Sequence, residues 1–214
     1  MERFFKPKAT IIIADGDKPP LTLAENYLAC TKTVVALDGA VHWLLRHKLK
    51  CDLVVGDFDS ARRDLLGDVK VLKVDDQNSN DLEKALHYCK AQGLDEVVVL
   101  GAYGKRSDHF LTNIFVMKKF APSMTISLVD HQQCIFICPK QREVTLDNAA
   151  GSFISLFPLA ANVGPIWSNG VQYPLSNEVL SLDTRIGTLN QIIAERASIY
   201  CESDHLLIAT PNLF

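Results

Sequence analysis

Apolar and polar residues alternate along the first 130 residues in a pattern typical of a parallel sheet flanked by helices. Short apolar runs predict strands, and stretches with apolar residues three or four apart predict helices. The predicted strands are 9–14, 33–37, 53–55, 69–74, 96–100 and 124–129, and the predicted helices are 21–29, 40–49, 81–91 and 108–120. Asn80 and Glu83 are spaced as a capping-box variant at the start of the third helix. The alternation predicts βαβ units over residues 1–135.

The pattern changes after Asp130. Short β-rich segments follow one another, separated by Pro, Gly and Asn turns, without a long helical period. These segments are 134–138, 143–146, 153–157, 198–202 and 206–209. The change predicts a second, all-β domain over residues 136–214.

The composition of the chain limits the kinds of molecule that the protein is expected to bind. The chain has 214 residues, a net charge of −3 and no block of Lys and Arg, which argues against a nucleic-acid surface. The amino terminus has no apolar signal core, and no apolar run approaches the roughly 18 residues of a membrane span. Six cysteines are dispersed without a Cys-x-x-Cys pair, as structural thiols are in a reducing compartment. We therefore expect a cytoplasmic protein that binds neither nucleic acid nor membrane.

The segment from Gly56 to Ser60 holds two carboxylates at the end of a predicted strand. If the chain stays extended, Asp57 and Asp59 point to the same face, because side chains alternate along a strand. Paired carboxylates suit Mg²⁺, which takes one or two of them with waters and substrate phosphates. Alternatively, Asp59 or Ser60 is an N-cap of a helix over 61–66.

Further polar residues follow the carboxyl ends of other predicted strands, where open α/β sheets bind their ligands. They are Asp38 and Gly39; Asp76, Gln77, Asn78, Asn80 and Asp81; and Gly101, Gly104, Lys105, Arg106, Asp108 and His109. Few acidic residues stand at the opposite strand ends, apart from Asp52 and Asp95. This convergence favours a functional site over a scattered solvated surface.

The segment from Gly101 to Asn113 provides groups that can bind an anion. Its glycines allow close backbone approach, and a helix beginning near Ser107 offers free N–H groups. Lys105 and Arg106 can neutralise phosphate oxygens. The alternative is a capped surface helix whose His109 faces solvent.

Four motifs in this order resemble the thiamine pyrophosphokinase family, and the resemblance covers nearly the whole chain. They are Asp38-Gly39-Ala40, the run from Asp52 to Ser60 with its Gly56-Asp57-Phe58-Asp59-Ser60, the run from Asp76 to Leu86, and the run from Gly101 to Asn113. The resemblance implies an amino-terminal Rossmann-like, mostly parallel sheet with flanking helices and a carboxyl-terminal β-sandwich. It also implies a homodimer whose active site lies between the α/β domain of one subunit and the β domain of the other.

Family members transfer the terminal diphosphate of ATP to the hydroxyethyl oxygen of thiamine and release AMP. The matching motifs imply that Asp57, Asp59 and Asp81 hold Mg²⁺. They imply that Arg106, with Lys105, stabilises charge on the transferred group and that Asp108 orients or deprotonates the thiamine hydroxyl. The remaining assignments are His109 and Asn113 as positioning groups, and Asp38, Gly39, Ser60, Gln77 and Gly104 on the nucleotide side.

The thiamine side falls in the β domain. The stretch 170–175 resembles the family segment whose aromatic residue stacks on the thiamine rings, which implies that role for Tyr173. A thiazolium cation over such a face gains about 0.5 to 2 kcal/mol. Trp167 is a rival for this role, or a buried core residue. Asn190 matches a family Asn that could bind the aminopyrimidine, or it is a turn residue.

Four positions depart from the family pattern. Asn78 replaces Asp, Asn80 replaces Thr, Lys105 replaces the second Gly of a Gly-Gly pair, and Leu189 replaces Ser. Since Asn78 removes a negative charge, we expect a weaker metal site, with Lys105 adding positive charge near the phosphates. Two other functions stay open: a diphosphokinase for another heterocyclic alcohol such as a hydroxymethylpterin, and a non-catalytic nucleotide- or thiamine-binding regulator.

Overall fold

The structure, a computed structural model, describes residues 9–57, 66, 67 and 69–212. The chain divides into two compact units. The first unit contains the described residues of 9–116 together with 128–131, and the second contains 117–127 and 132–212. In the described part of the chain, no helix is both long and apolar enough to cross a membrane.

The first unit is built from parallel strands joined by helices. Its elements are β1 (Thr10–Ile13), α1 (Leu21–Ala29), β2 (Val34–Leu37), a 3₁₀ turn (Asp38–Ala40), α2 (Val41–Arg46), β3 (Leu53–Gly56), β4 (Lys70–Lys73), α3 (Asp81–Ala91) and β5 (Glu96–Leu100). The chain passes to the second unit within α4 (Ser107–Phe120) and returns within β6 (Thr125–Val129). These elements match the predicted order of strands and helices.

The strands of the first unit run in the order β5-β1-β2-β3-β4, and each neighbouring pair is parallel. All residues of β1, β2 and β3 are buried, because helices cover both faces of such a sheet. The third predicted helix is confirmed with its cap, since the Asn80 side chain accepts a hydrogen bond from Glu83 N at 2.9 Å. Helix α2 ends earlier than predicted because Lys48 adopts a left-handed φ of 53°.

The second unit contains two antiparallel sheets. Its later strands are β7 (Gln133–Ile137), β8 (Glu143–Asp147), β9 (Phe153–Pro158), β10 (Asn162–Asn169), β11 (Ser176–Ser181), β12 (Gly187–Gln191), β13 (Arg196–Cys201) and β14 (Leu206–Pro211). One sheet has the order β12-β9-β14-β7 and the other β11-β10-β13-β8. Burial alternates along β9 and β13, as in a β-sandwich. The fold class of α/β plus all-β is therefore confirmed.

Three strands of the second unit, β10, β11 and β12, had no counterpart among the predicted segments. Strand β10 contains Gly164 and Pro165, and β11 and β12 are rich in Ser, Asn, Glu and Gln. Pairing with neighbours decides their conformation, for example Gly187 of β12 opposite Leu156 of β9.

Candidate active site

Asp38 lies in the 3₁₀ turn directly after β2 and is buried among apolar strand ends. Its φ is 36°, in the left-handed region, and its Oδ1 has no hydrogen-bond partner among the described residues. Gly56 at the end of β3 leaves room for this side chain, since a Cβ there would lie 3.0 Å from Asp38 Cβ and 3.4 Å from its Oδ1. A buried carboxylate oxygen without a partner is costly unless it binds a ligand or cation.

Asp81 stands at the first position of α3, and Asp57 follows β3. Burial raises the pKa of Asp81, the ammonium of Lys84 opposes that rise, and the charges of Asp38 and Asp57 add to it. We call Asp38, Asp57 and Asp81 the acidic cluster. Their mutual repulsion and hard oxygen atoms suit a divalent cation of the Mg²⁺ type.

The predicted metal site lies only partly within the described residues. Asp59 and Ser60 lie outside the described residues, as does most of the segment 61–66 that they were expected to cap. Within the ranges that the structure describes, no three His, Cys, Asp or Glu side chains form a group able to hold a metal ion. The unpartnered Asp38 Oδ1 and the raised pKa of Asp81 are the observations that fit a cation at the acidic cluster.

Lys84 is a site residue that the sequence analysis missed. Its side chain is only 5% exposed, and its Nζ lies 3.3 Å from Asp81 Oδ1. A buried ammonium paired with the Asp81 carboxylate acts as its counter-charge. The three-residue spacing from Asp81 on a helix could have revealed the pair, because such side chains share one face.

Asn113 of α4 connects Asn80, the N-cap of α3, to the loop after β5. Its Oδ1 accepts a hydrogen bond from Asn80 Nδ2 at 3.3 Å, and its Nδ2 donates to the Ala102 carbonyl at 3.5 Å. Asn113 is buried. Asn80 therefore uses its amide twice, since the same side chain caps α3 through Glu83 N.

The loop from Asp76 to Ser79 folds around the Asp76 carboxylate. That carboxylate accepts hydrogen bonds from Asn78 N at 2.9 Å, from Asn78 Nδ2 at 3.1 Å and from Ser79 Oγ at 2.5 Å. The bond from Ser79 is the main reason that the pKa of Asp76 is lowered. Gln77 is exposed in this loop.

The loop after β5 places its charged side chains at the surface. Gly101 and Gly104 have left-handed φ values of 73° and 76°. Arg106 forms a forked ion pair with Asp108, with Nε to Oδ1 at 3.0 Å and Nη2 to Oδ2 at 2.5 Å. Hydrogen bonding from Arg106 lowers the pKa of Asp108 to about 2. His109 is exposed, and its backbone N donates to Asp108 Oδ1 at 3.0 Å.

The predicted thiamine residues lie in the second unit. Tyr173 is 64% exposed, and Asn190 hydrogen-bonds its backbone. Trp167 is half-buried and packs at a tilt against Tyr200, with ring centroids 5.6 Å apart. Leu189 is 69% exposed and has a left-handed φ of 54°.

Two family models match the chain in succession. Residues 24–128 match the model described as the thiamin pyrophosphokinase catalytic domain, and residues 140–206 match its vitamin B1 binding domain. The chain belongs to the thiamin pyrophosphokinase family. This membership confirms the resemblance inferred from the four motifs.

Similar proteins agree with the family assignment. A thiamine pyrophosphokinase of Oryza sativa is 30% identical over 184 residues, covering 79% of this chain and 69% of the relative. The thiamine pyrophosphokinase of Bacillus subtilis is 28% identical over 198 residues, covering 89% of this chain and 92% of the relative. The crystal structure of a Bacillus subtilis thiamine pyrophosphokinase superposes with a TM-score of 0.81 at 23% identity, covering 96% of this chain and all of that one. The family fold therefore extends over nearly the whole chain.

Proposed function

We propose that the protein transfers the terminal diphosphate of ATP to the hydroxyethyl oxygen of thiamine, giving thiamine diphosphate and AMP. The observation that carries this proposal is the succession of a catalytic and a vitamin B1 binding model over residues 24–206. The acidic cluster and the loop with Lys105 and Arg106 both follow the carboxyl ends of parallel strands, and they offer the acidic and basic groups that phosphoryl-type transfer needs. Such reactions depend mainly on positioning and on charge neutralisation.

The acidic cluster is our proposed Mg²⁺ site, with Asp57 and Asp81 as ligands, joined by Asp59 and by the unpartnered oxygen of Asp38. When bound, Mg²⁺ would neutralise charge on the phosphates and hold them in place. Lys84 holds Asp81 through their ion pair. It thereby supplies a counter-charge to Asp81 while no cation is bound.

On the phosphate side we propose that Lys105 and Arg106 bind oxygens of the transferred group. Asp108 stays ionised at every pH where the enzyme would work, because its pKa is about 2. Such a carboxylate is a poor base, so Asp108 accepts a hydrogen bond from the thiamine hydroxyl and orients it. Gly39, Ser60, Gln77 and Gly104 keep their predicted place on the nucleotide side, and His109 and Asn113 remain positioning groups.

On the acceptor side we propose that Tyr173 stacks on the thiamine. Its exposed ring offers a face to a cationic thiazolium. Asn190 uses one N–H and one lone pair on the Tyr173 backbone, so its main task is to hold Tyr173. Trp167 is the less suitable platform because one side of its ring packs against Tyr200.

The test of the function is incubation with ATP, Mg²⁺ and thiamine, followed by separation of the products. We expect AMP and thiamine diphosphate in equal amounts. Release of ADP would overturn the diphosphate transfer, and turnover with a hydroxymethylpterin but not with thiamine would overturn the acceptor. Asp57→Asn should lower the rate at least about 100-fold. Asp95→Asn is the matched control, since Asp95 is exposed before β5 at the opposite strand end.

We also propose a homodimer, in which the α/β domain of one subunit and the β domain of its partner complete each active site. Mixing inactive Asp57→Asn and Tyr173→Ala variants should then restore up to about a quarter of the activity through mixed dimers. A monomer in sedimentation experiments, or mixtures that stay inactive, would contradict this. A domain boundary at 135/136 and a cytoplasmic location remain predictions, to be checked by limited proteolysis and by cell fractionation.

A further inference from the structure

The strand order of the first unit creates a switch point between β1 and β5. The chain adds β2, β3 and β4 on one side of β1 and then places β5 on the other side. Ligands of open α/β sheets bind in the crevice beyond the carboxyl ends of the strands at such a point. Two loops lie there, namely 14–18 after β1 and 101–106 after β5. The four sequence motifs include residues of loop 101–106 but none of loop 14–18.

Backbone hydrogen bonds join the two loops into one platform. Ala14 N donates to Leu100 O at 2.8 Å, Gly16 N to Gly101 O at 2.8 Å, and Asp17 N to Tyr103 O at 2.7 Å. Position 16 admits only glycine, because a Cβ there would lie 2.2 Å from the Tyr103 carbonyl oxygen. Side chains on the two loops are therefore held at fixed separations.

Two ammonium groups on this platform share one carboxylate. Lys18 Nζ lies 2.8 Å from Asp15 Oδ1, and Lys105 Nζ lies 3.3 Å from Asp15 Oδ2. Lys18 is the more buried of the two lysines, with its side chain 18% exposed against 53% for Lys105. Lys18 also donates to the Ala14 carbonyl at 3.2 Å and to the Gly16 carbonyl at 3.0 Å, which fixes its position.

The carboxylates of Asp15 and Asp17 do not fully offset the effect of burial on the Lys18 ammonium. Burial lowers the pKa of Lys18 and the charge of Lys105 adds to this effect, so that together they outweigh the opposing hydrogen bond and charge of Asp15 and the charge of Asp17. For Asp15, burial acts to raise the pKa, but the hydrogen bonds and charges of Lys18 and Lys105 outweigh it and the pKa is lowered. The surroundings of the lysines therefore favour additional negative charge.

We propose that a phosphate group of the nucleotide replaces the Asp15 carboxylate between Lys18 and Lys105, which makes Lys18 a phosphate-binding residue. The proposal rests on the proposed function insofar as it takes the ligand to be ATP. A phosphate offers three oxygens and up to two charges, so it forms stronger charge-assisted bonds than the carboxylate. The Lys105–Asp15 pair is about half exposed, and such pairs break at little cost.

The test is ATP binding measured by calorimetry with Mg²⁺ and without thiamine. Lys18→Met should weaken binding about tenfold, the loss expected for one charge-assisted bond, and Lys18→Arg should keep most of the affinity. Asp15→Asn should tighten binding about threefold, because the competing charge is removed while the side-chain shape is kept. Lys50→Met is the matched control, since Lys50 pairs with Asp52 at 2.9 Å before β3 and should leave binding unchanged.

The Asp15→Asn variant separates ligand binding from support of the loop. If the Lys18–Asp15 pair served only to hold the loop, Asp15→Asn would weaken binding and lower the thermal midpoint, which would overturn the proposal. Unchanged affinity in Lys18→Met would overturn it as well, even if the enzyme makes thiamine diphosphate. Conversely, absence of turnover with thiamine, combined with weaker ATP binding in Lys18→Met, would overturn the function and leave this inference standing.

Discussion

Asn190 hydrogen-bonds both backbone groups of Tyr173. Its Oδ1 accepts from Tyr173 N at 3.0 Å, and its Nδ2 donates to the Tyr173 carbonyl at 2.7 Å. The amide thus fixes the backbone from which an exposed aromatic ring projects. Fixing the backbone that carries an exposed ring lowers the entropy lost when a ligand stacks on that ring.

The first prediction concerns this pair. Asn190→Ala should raise the KM for thiamine about three- to tenfold with little change in kcat, because Tyr173 becomes less ordered. Tyr173→Phe should retain activity and Tyr173→Ala should lose it, as stacking requires only the ring. Steady-state kinetics at saturating ATP measures both effects. An unchanged thiamine KM in Asn190→Ala would show that the amide has no part in acceptor binding.

The second prediction concerns the buried Lys84. Lys84→Met should lower the free energy of unfolding by about 1 to 3 kcal/mol, because Asp81 loses its counter-charge. Mg²⁺ should reverse much of this loss, since the cation supplies the missing positive charge. Urea unfolding with EDTA and then with Mg²⁺ measures the difference. Lys90→Met, an exposed change on the same helix, is the control, and an equal loss there would count against the pair.

The third prediction concerns the contact between Gly56 and Asp38. Gly56→Ala should displace Asp38, since the new Cβ would stand 3.0 Å from Asp38 Cβ. We expect a loss of about 1 to 3 kcal/mol in stability and at least about a tenfold fall in kcat/KM for ATP. Gly93→Ala is the control. It has open space and a φ of 68°, so it should lower stability without affecting kinetics.

The fourth prediction concerns pH. The folded-state pKa of Asp108 lies below its ordinary value, so its carboxylate stabilises the fold above about pH 4. That contribution is lost as the pH falls through about 2. Asp108 therefore cannot produce an acid limb between pH 5 and 7. Asp108→Asn should lower kcat by the same factor across this range, and a limb that shifted in the variant would contradict the assignment.

The fifth prediction concerns Asn78, where the family pattern has Asp. Asn78→Asp should lower the Mg²⁺ concentration for half-maximal activity about two- to fivefold, because it adds a carboxylate near the metal site. It should also lower thermal stability slightly, since the new carboxylate faces Asp76 where Asn78 Nδ2 now donates. Full activity of the unaltered protein at micromolar Mg²⁺, unchanged in the variant, would contradict a weakened metal site.

The sequence predicted best what local periodicity determines. Helices α1 and α3 and strand β5 have the predicted bounds, because each combines a clear apolar period with a definite end signal. Strands β11 and β12 were not predicted, because their polar residues have low strand propensity. Their conformation comes from pairing with distant segments that no local pattern reveals.

In the candidate site, too, some residues could be recognised from the sequence and others could not. Asp57 and Asp81 could be named as candidate site residues because acidic residues after strands are visible in a linear pattern. The spacing on α3 indicates only that Lys84 can pair with Asp81, and nothing in the sequence singles out Lys18, since the importance of both depends on burial and on which loops the sheet brings together. The sequence alone does not show whether a lysine side chain is exposed to solvent or buried.

The pairing of β1 with β5 also determines when, during folding, the proposed phosphate site on loops 14–18 and 101–106 can form. Thr10 lies opposite Val97, so loops 14–18 and 101–106 come together only after a long stretch of chain has closed between them. Pairings of such separation in sequence form late, because the entropy of loop closure must be overcome first. Nucleotide binding should therefore report completed folding of the first unit, and a nascent chain that lacks β5 should have no affinity for ATP.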